Sequence, residues 1–227
     1  MVECMGYRES APPSELGELV ETAWTADGGA GHAHVLPDGC MDLIRMDGHI
    51  VVAGPDVTAT VTSHGPEPLA GLRFHPGVLP RLLGIPAAEL VDRRVPLDDI
   101  CAVRPGSTLA EIAVELAAKP PTNETAPWRM PTLRQVTRSL AAGSSIADLA
   151  RDVGWSSRTL QRQCHAVYGY GPATLRRVLR FRRAVALLHR GALPADVAVA
   201  TGYADQPHLH REVRAFAGTT VTALTGR

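Results

Sequence analysis

Arg162 and Arg211 stand at equivalent places in a stretch that this 227-residue chain contains twice. The segment "SIADLARDVGWSSRTLQRQCHAVYG" (145–169) has a near-echo in "LPADVAVATGYADQPHLHREVRAFAG" (193–218). Aligning Gly154 with Gly202 puts Ala147-Asp148-Leu149-Ala150 on Ala195-Asp196-Val197-Ala198 and Trp155 on Tyr203. One extra residue then brings Leu160 onto Leu209 and Arg162 onto Arg211. A guanidinium is a planar fork of donors that matches O6 and N7 of guanine, so an arginine repeated in register on two helices points to reading of base edges.

The charge distribution agrees with a polyanionic partner. The formal net charge is zero, but residues 1–127 hold 8 Lys+Arg against 18 Asp+Glu, whereas residues 128–227 hold 15 against 5, all fifteen of them arginine. The neutral sum thus conceals an acidic half at −10 and a basic half at +10.

Each copy of the repeat predicts a helix, a glycine turn and a second helix. In the first, Ile146, Leu149, Ala150 and Val153 make an apolar stripe, Gly154 supplies the left-handed turn, and the next helix starts at Ser156 or Ser157. On that helix Leu160, Cys164 and Val167 share one face, Arg158 and Arg162 point almost oppositely, and Gln161 lies on the flank. The second copy repeats this with Leu209, Val213 and Phe216 inside, Arg211 and Arg214 outside, and His210 on the flank. Between them, "GPATLRRVLRFRRAVALLHRG" reads as one connecting helix, with Pro172 in its first turn and Gly191 at its end. About 19 residues at ~1.5 Å each give roughly 28 Å, close to the ~34 Å between successive major-groove faces of B-DNA.

With "RTLQRQC", "RFRRAVALL" and "ATGYADQPHLHREVRAFAGTTVTAL", residues 131–224 resemble the DNA-binding domain of the AraC family of bacterial transcription regulators. The resemblance implies seven helices, with the second helix of each unit reading bases through Arg158, Gln161 and Arg162 in the first and Gln206, His208, His210 and Arg211 in the second. Ser157, Arg176, Arg177, Arg183 and Arg214 are candidates for the phosphate backbone. Cys164 and Val213 stand where the family has Phe, and "TTVTAL" lacks the proline common after the final glycine.

The acidic half reads as a small α+β domain of short antiparallel strands and helices, ahead of the all-α tandem helix-turn-helix domain. "HAHVL", "MDLIRM", "HIVVAG", "VTATVTS" and "LAGLRF" are strand-like and separated by turn residues, with "MDGH" marking a hairpin. After "FHPG" the pattern predicts short helices broken by Pro80 and Pro86, and "STLAEIAVELAAK" a longer one capped by Ser107 or Thr108. The expected division is 1–118 for this sensory or regulatory domain, 119–128 for a proline-rich linker, and 129–227 for the DNA-binding domain. "HVLPDGCMDLI", "AGP" and "GLRFHPG" resemble an N-terminal domain with a Leu-Pro-Asp-Gly signature found before such DNA-binding domains.

His32 and His34 share a strand face, and Cys40 across the turn, with His64 or His75, completes a candidate site for an effector or a soft metal. The alternative is a set of exposed histidines and a buried turn cysteine. No cofactor is indicated. An enzymatic N-terminal domain is the competing class of function, but the sequence holds no HExxH, P-loop or dinucleotide fingerprint. The four scattered cysteines and an acidic start without a long apolar run predict a cytoplasmic protein with free thiols and no membrane anchor. The expected partners are double-stranded DNA, a small-molecule or metal effector, and RNA polymerase.

Overall fold

The computed structural model describes residues 2–3, 6–27, 31–64 and 67–226. Its N-terminal half contains β1 (Val2–Glu3), β2 (Arg8–Ser10), β3 (Val20–Ala26), β4 (Gly31–Val35), β5 (Met41–Met46), β6 (His49–Ala53), β7 (Thr60–His64), β8 (Leu69–Phe74), α1 (Val78–Leu83), β9 (Arg94–Pro96) and α2 (Leu109–Ala118). The strands form an antiparallel six-stranded sheet, β2-β3-β8-β5-β6-β9, and a three-stranded one, β1-β4-β7. Asp47 and Gly48, both at positive φ, close the β5–β6 hairpin in two residues, as "MDGH" predicts.

Two local expectations change. The β-rich region begins earlier than residue 32, because β3 is a central strand between β2 and β8. Its polar Glu21, Thr22 and Thr25 interrupt the apolar pattern and hide it in the sequence. Pro80 lies inside α1 instead of breaking it: in the first turn its missing N–H would have had no intrahelical acceptor, and its carbonyl accepts from Gly84 N–H at 2.9 Å. The capping residue of α2 is Thr108, whose hydroxyl accepts from Glu111 N–H while the Glu111 carboxylate accepts from Thr108 N–H.

The C-terminal half consists of α3 (Met130–Ala141), α4 (Ile146–Asp152), α5 (Ser157–Tyr168), α6 (Pro172–His189), α7 (Pro194–Thr201), α8 (Gln206–Ala217) and α9 (Val221–Leu224). Residues 119–128 run between α2 and α3; 119–124 are exposed, but Thr125 and Trp128 are buried and Trp128 O accepts from Arg81 at 2.7 Å. Trp128 also stacks on Trp155, centroids 5.1 Å apart. One hydrophobic core runs without interruption from Leu43, Val52 and Leu72 in the large sheet to Leu160, Phe181 and Leu209 in the helices.

Ion pairs and close backbone approach join the halves as well. Arg182 of α6 donates to Glu21 of β3 at 2.5 Å, and Arg134 of α3 pairs with Glu18. A Cβ on Gly39, in the Leu-Pro-Asp-Gly turn, would meet Leu175 and Leu179 of α6 at 3.4 and 3.5 Å.

Candidate nucleic-acid interface

Both predicted helix pairs form, and their starts and stops follow from local chemistry. Ser145 caps α4, Gly154 turns the chain at φ 71°, and Ser156 caps α5 by accepting from Thr159 N–H at 3.1 Å. In the second unit Gly202 turns the chain at φ 80°, and Asp205 caps α8 by accepting from His208 N–H at 2.6 Å. Trp155 and Tyr203 occupy equivalent places after the glycines. Trp155 stacks on Trp128, and Tyr203 lies under the Arg180 guanidinium at 4.3 Å.

The inward faces are as expected: Leu160, Cys164 and Val167 on α5, Leu209, Val213 and Phe216 on α8. Outward, Ser157, Arg158, Gln161, Arg162, Gln206, His210, Arg211 and Arg214 are exposed. Among the described residues, no hydrogen bond or ion pair engages the guanidinium groups of Arg158, Arg162, Arg211 or Arg214, so their donors face solvent on the two units. Gln161 is less open, since its amide lies against Gly171 and pairs with His165 at 3.0 Å. Gln206 pairs similarly with His210 at 3.4 Å. His208 is half-buried, edge-on to Tyr203 with centroids 5.2 Å apart, and accepts from Ala204 N–H at 3.4 Å. Its place braces the inter-helix turn.

Three of the arginines expected on phosphates also make contacts within the protein. Arg176 donates to Ser144 O at 3.3 Å; Arg183 bridges Ala141 O at 2.8 Å and Ala200 O at 3.3 Å, the carbonyl ends of α3 and α7. Arg177 donates to Glu212 at 2.7 Å and lies over Phe216. Helix C-termini present carbonyls without intrahelical donors and a partial negative charge, which cations satisfy. The sequence reading also missed Glu212. It is buried, holds Arg177 and Arg180 at 2.7 Å each, and so locks α8 to α6. Burial raises its pKa, but the hydrogen bonds and charges of the two arginines overcome that and hold it below the usual carboxylate range. The available signal was an acidic residue on the inward face of a helix whose other inward residues are apolar.

Among the described residues, the candidate effector or metal residues form no group that could hold a metal ion. The side chain of His32 lies outside the described residues, as does that of His64. His34 sits on β4 opposite Val61, and His75 lines a groove against Arg134 and Thr137 of α3. Cys40 instead touches Glu21 at 3.3 Å and Arg182 at 3.5 Å. Burial, and then the Asp38 carboxylate, push its thiol well above the ordinary value. Among the described residues no three His, Cys, Asp or Glu side chains converge as a metal site. Cys40 does line a cavity of about 80 Å³ in the N-terminal half. Trp24, Ile44 and Met46 make part of its apolar wall, and Asp42 with Arg73, 3.4 Å apart, its polar end.

Residues 133–227 match a family model described as a helix-turn-helix domain. These residues form an AraC-type helix-turn-helix domain. Residues 8–96, which carry the Leu-Pro-Asp-Gly turn, match a domain of unknown function, DUF6597. Two curated relatives from Mycobacterium tuberculosis strains, each named a probable bifunctional transcriptional activator/DNA repair enzyme AlkA, are 33% identical over 104 residues, 44% of this chain. The match spans 21% of their length. Among solved structures, a probable AraC family transcriptional regulator from Rhodopseudomonas palustris is 25% identical, with a TM-score of 0.37 over 43% of this chain and 96% of that one. ToxT from Vibrio cholerae is 8% identical, with a TM-score of 0.47 over 96% of this chain and 98% of its own. Within the AraC-type domain, α5 and α8 are the second helices of the two units. Among the described residues no helix is long and apolar enough to cross a membrane.

Proposed function

We propose that this chain is a one-component transcription regulator that reads DNA sequence by placing α5 and α8 in successive major grooves. One observation carries the reading: two capped helices, equivalent in a repeat, present Arg162 and Arg211 at the same register with their guanidinium groups exposed and unengaged. Arg158, Gln161 and Arg162 read bases in the first unit and Gln206, His210 and Arg211 in the second. His208 keeps its turn in place, and Ser157 and Arg214 meet phosphates. The activity is binding, not catalysis, in the cytoplasm, with RNA polymerase as the downstream partner.

The N-terminal half regulates. Its cavity is mostly apolar with a buried Asp-Arg pair at one end, which suits a small, largely apolar effector with one polar group. Cys40 and Asp56, from the two turns that face the helices, line the same cavity.

The test begins with a binding site selected from random duplexes. Arg162→Ala and Arg211→Ala should each cost about 1–3 kcal/mol on that site and relax preference at one base pair, the two positions lying ~10 bp apart, with non-specific binding nearly unchanged. Failure of both changes to alter preference would reduce the basic half to a non-specific nucleic-acid module.

A further inference from the structure

Two recognition helices packed against α6 read one site only if their separation is held to a fraction of a base-pair step. A single turn of the N-terminal half, between β6 and β7, touches the C-terminal ends of both. At α5, a Cβ on Gly169, the left-handed residue that ends the helix, would sit 2.7 Å from Pro55 Cγ and 2.8 Å from Val91 Cγ2. The backbone there lies directly on the N-terminal half, with no room for a side chain.

At α8, Ala59 N–H donates to Phe216 O at 2.6 Å. The Phe216 carbonyl belongs to the last turn of α8, where carbonyls lack intrahelical donors. The N-terminal half thus supplies a C-terminal cap to the second recognition helix.

The turn is built to hold rather than to yield. Gly54 N–H donates to Arg93 O at 2.9 Å, Asp92 N–H to Pro55 O at 3.1 Å, and Val57 N–H to the Asp92 carboxylate at 2.8 Å. Asp56 pairs with Arg94 at 2.8 Å and accepts from Thr60 Oγ1 at 3.3 Å. On the far side, Glu212 with Arg177 and Arg180 and the Phe181–Phe216 ring contact tie α8 to α6. Turn, α5, α6 and α8 therefore close a ring. Both contacts lie at C-terminal ends, so Arg158, Arg162, Gln206 and Arg211 stay clear of them.

We propose that residues 55–59 are a positioning element for DNA recognition, setting the separation and relative rotation of α5 and α8 and hence the number of base pairs accepted between the two half-sites. The inference rests on the DNA-reading proposal. One base pair moves a half-site by ~3.4 Å and about one-tenth of a turn, far beyond the tolerance of a base-edge hydrogen bond.

The experiment uses the full chain and its selected site, remade as duplexes with the half-site spacing changed one base pair at a time and as duplexes with one half-site alone. Ala59→Pro deletes the N–H donor, and a Gly-Ser insertion after the exposed Thr58 slackens the turn while keeping every donor; circular dichroism melts verify folding. Wild type should prefer its best spacing over either neighbour by at least about tenfold, and each folded variant by less than about threefold, with single half-site affinities within about twofold of wild type. A folded variant that keeps the wild-type spacing profile overturns the proposal, as does a wild type indifferent to spacing. If Ala59→Pro does not fold, the insertion decides. A wild type with no preferred sequence at all is a different result, which removes the DNA-reading proposal itself.

Discussion

Glu212→Gln isolates what holds the second recognition helix in place. The carboxylate is 5% exposed and accepts from Arg177 Nε and Arg180 Nη2 at 2.7 Å each. The amide keeps the volume but removes the charge, and it turns a donor toward one of two guanidinium groups. Arg180 is the worse placed, since its Nε already has no partner and its guanidinium is packed over Tyr203. Removing one partner of a buried pair costs about 3–5 kcal/mol, but Arg177 is 48% exposed and regains water. The change should therefore cost about 2–3 kcal/mol and lower Tm by about 5–10 °C for a chain of this size. Urea and thermal unfolding at neutral pH measure this.

A pH series supplies the sign. A carboxylate whose folded pKa is lowered contributes stability above its unfolded pKa and loses it as pH falls through the folded one. The difference between wild type and Glu212→Gln should therefore shrink below about pH 4, as unfolded and then folded carboxylates protonate. Equal Tm at neutral pH, or a gap that persists undiminished in acid, would refute the assignment of Glu212 as the charged lock between α6 and α8.

Three other outcomes follow from the same contacts. Arg162→Ala and Arg211→Ala should relax base preference while leaving non-specific binding intact, read by competition against random duplex. Arg183→Ala should cost about 1–2 kcal/mol of stability through the carbonyls of Ala141 and Ala200 and leave the salt slope of DNA binding unchanged; a slope flattened by one unit would put Arg183 on a phosphate. A glutamate-specific protease should cut after the exposed Glu124, yet the two fragments should co-elute on gel filtration, because the core and the Arg182–Glu21 pair span the cut; separation under native conditions would establish independent modules.

The helices of the basic half were legible because their determinants are local. Apolar residues at helical spacing mark α4, α5, α6 and α8, Ser156 and Asp205 begin the recognition helices, and Gly154 and Gly202 make the turns. None of these depends on a residue far away in the chain. The repeat then set Arg162 beside Arg211 in register, and the exposure of both follows from the helical period.

What each arginine does was a tertiary decision. Arg158, Arg162, Arg176 and Arg183 look alike in sequence, but only folding brought Ser144 O, Ala141 O and Ala200 O within reach of the latter two. The same holds for Cys40, paired in sequence with nearby histidines and in space with Glu21 and Arg182. Sequence could mark 119–128 as a polar, proline-rich break between two helical patterns. It could not show that the halves share one core or that Ala59 caps α8, because a backbone N–H carries no sequence signal and its acceptor is chosen by the packing of the whole chain.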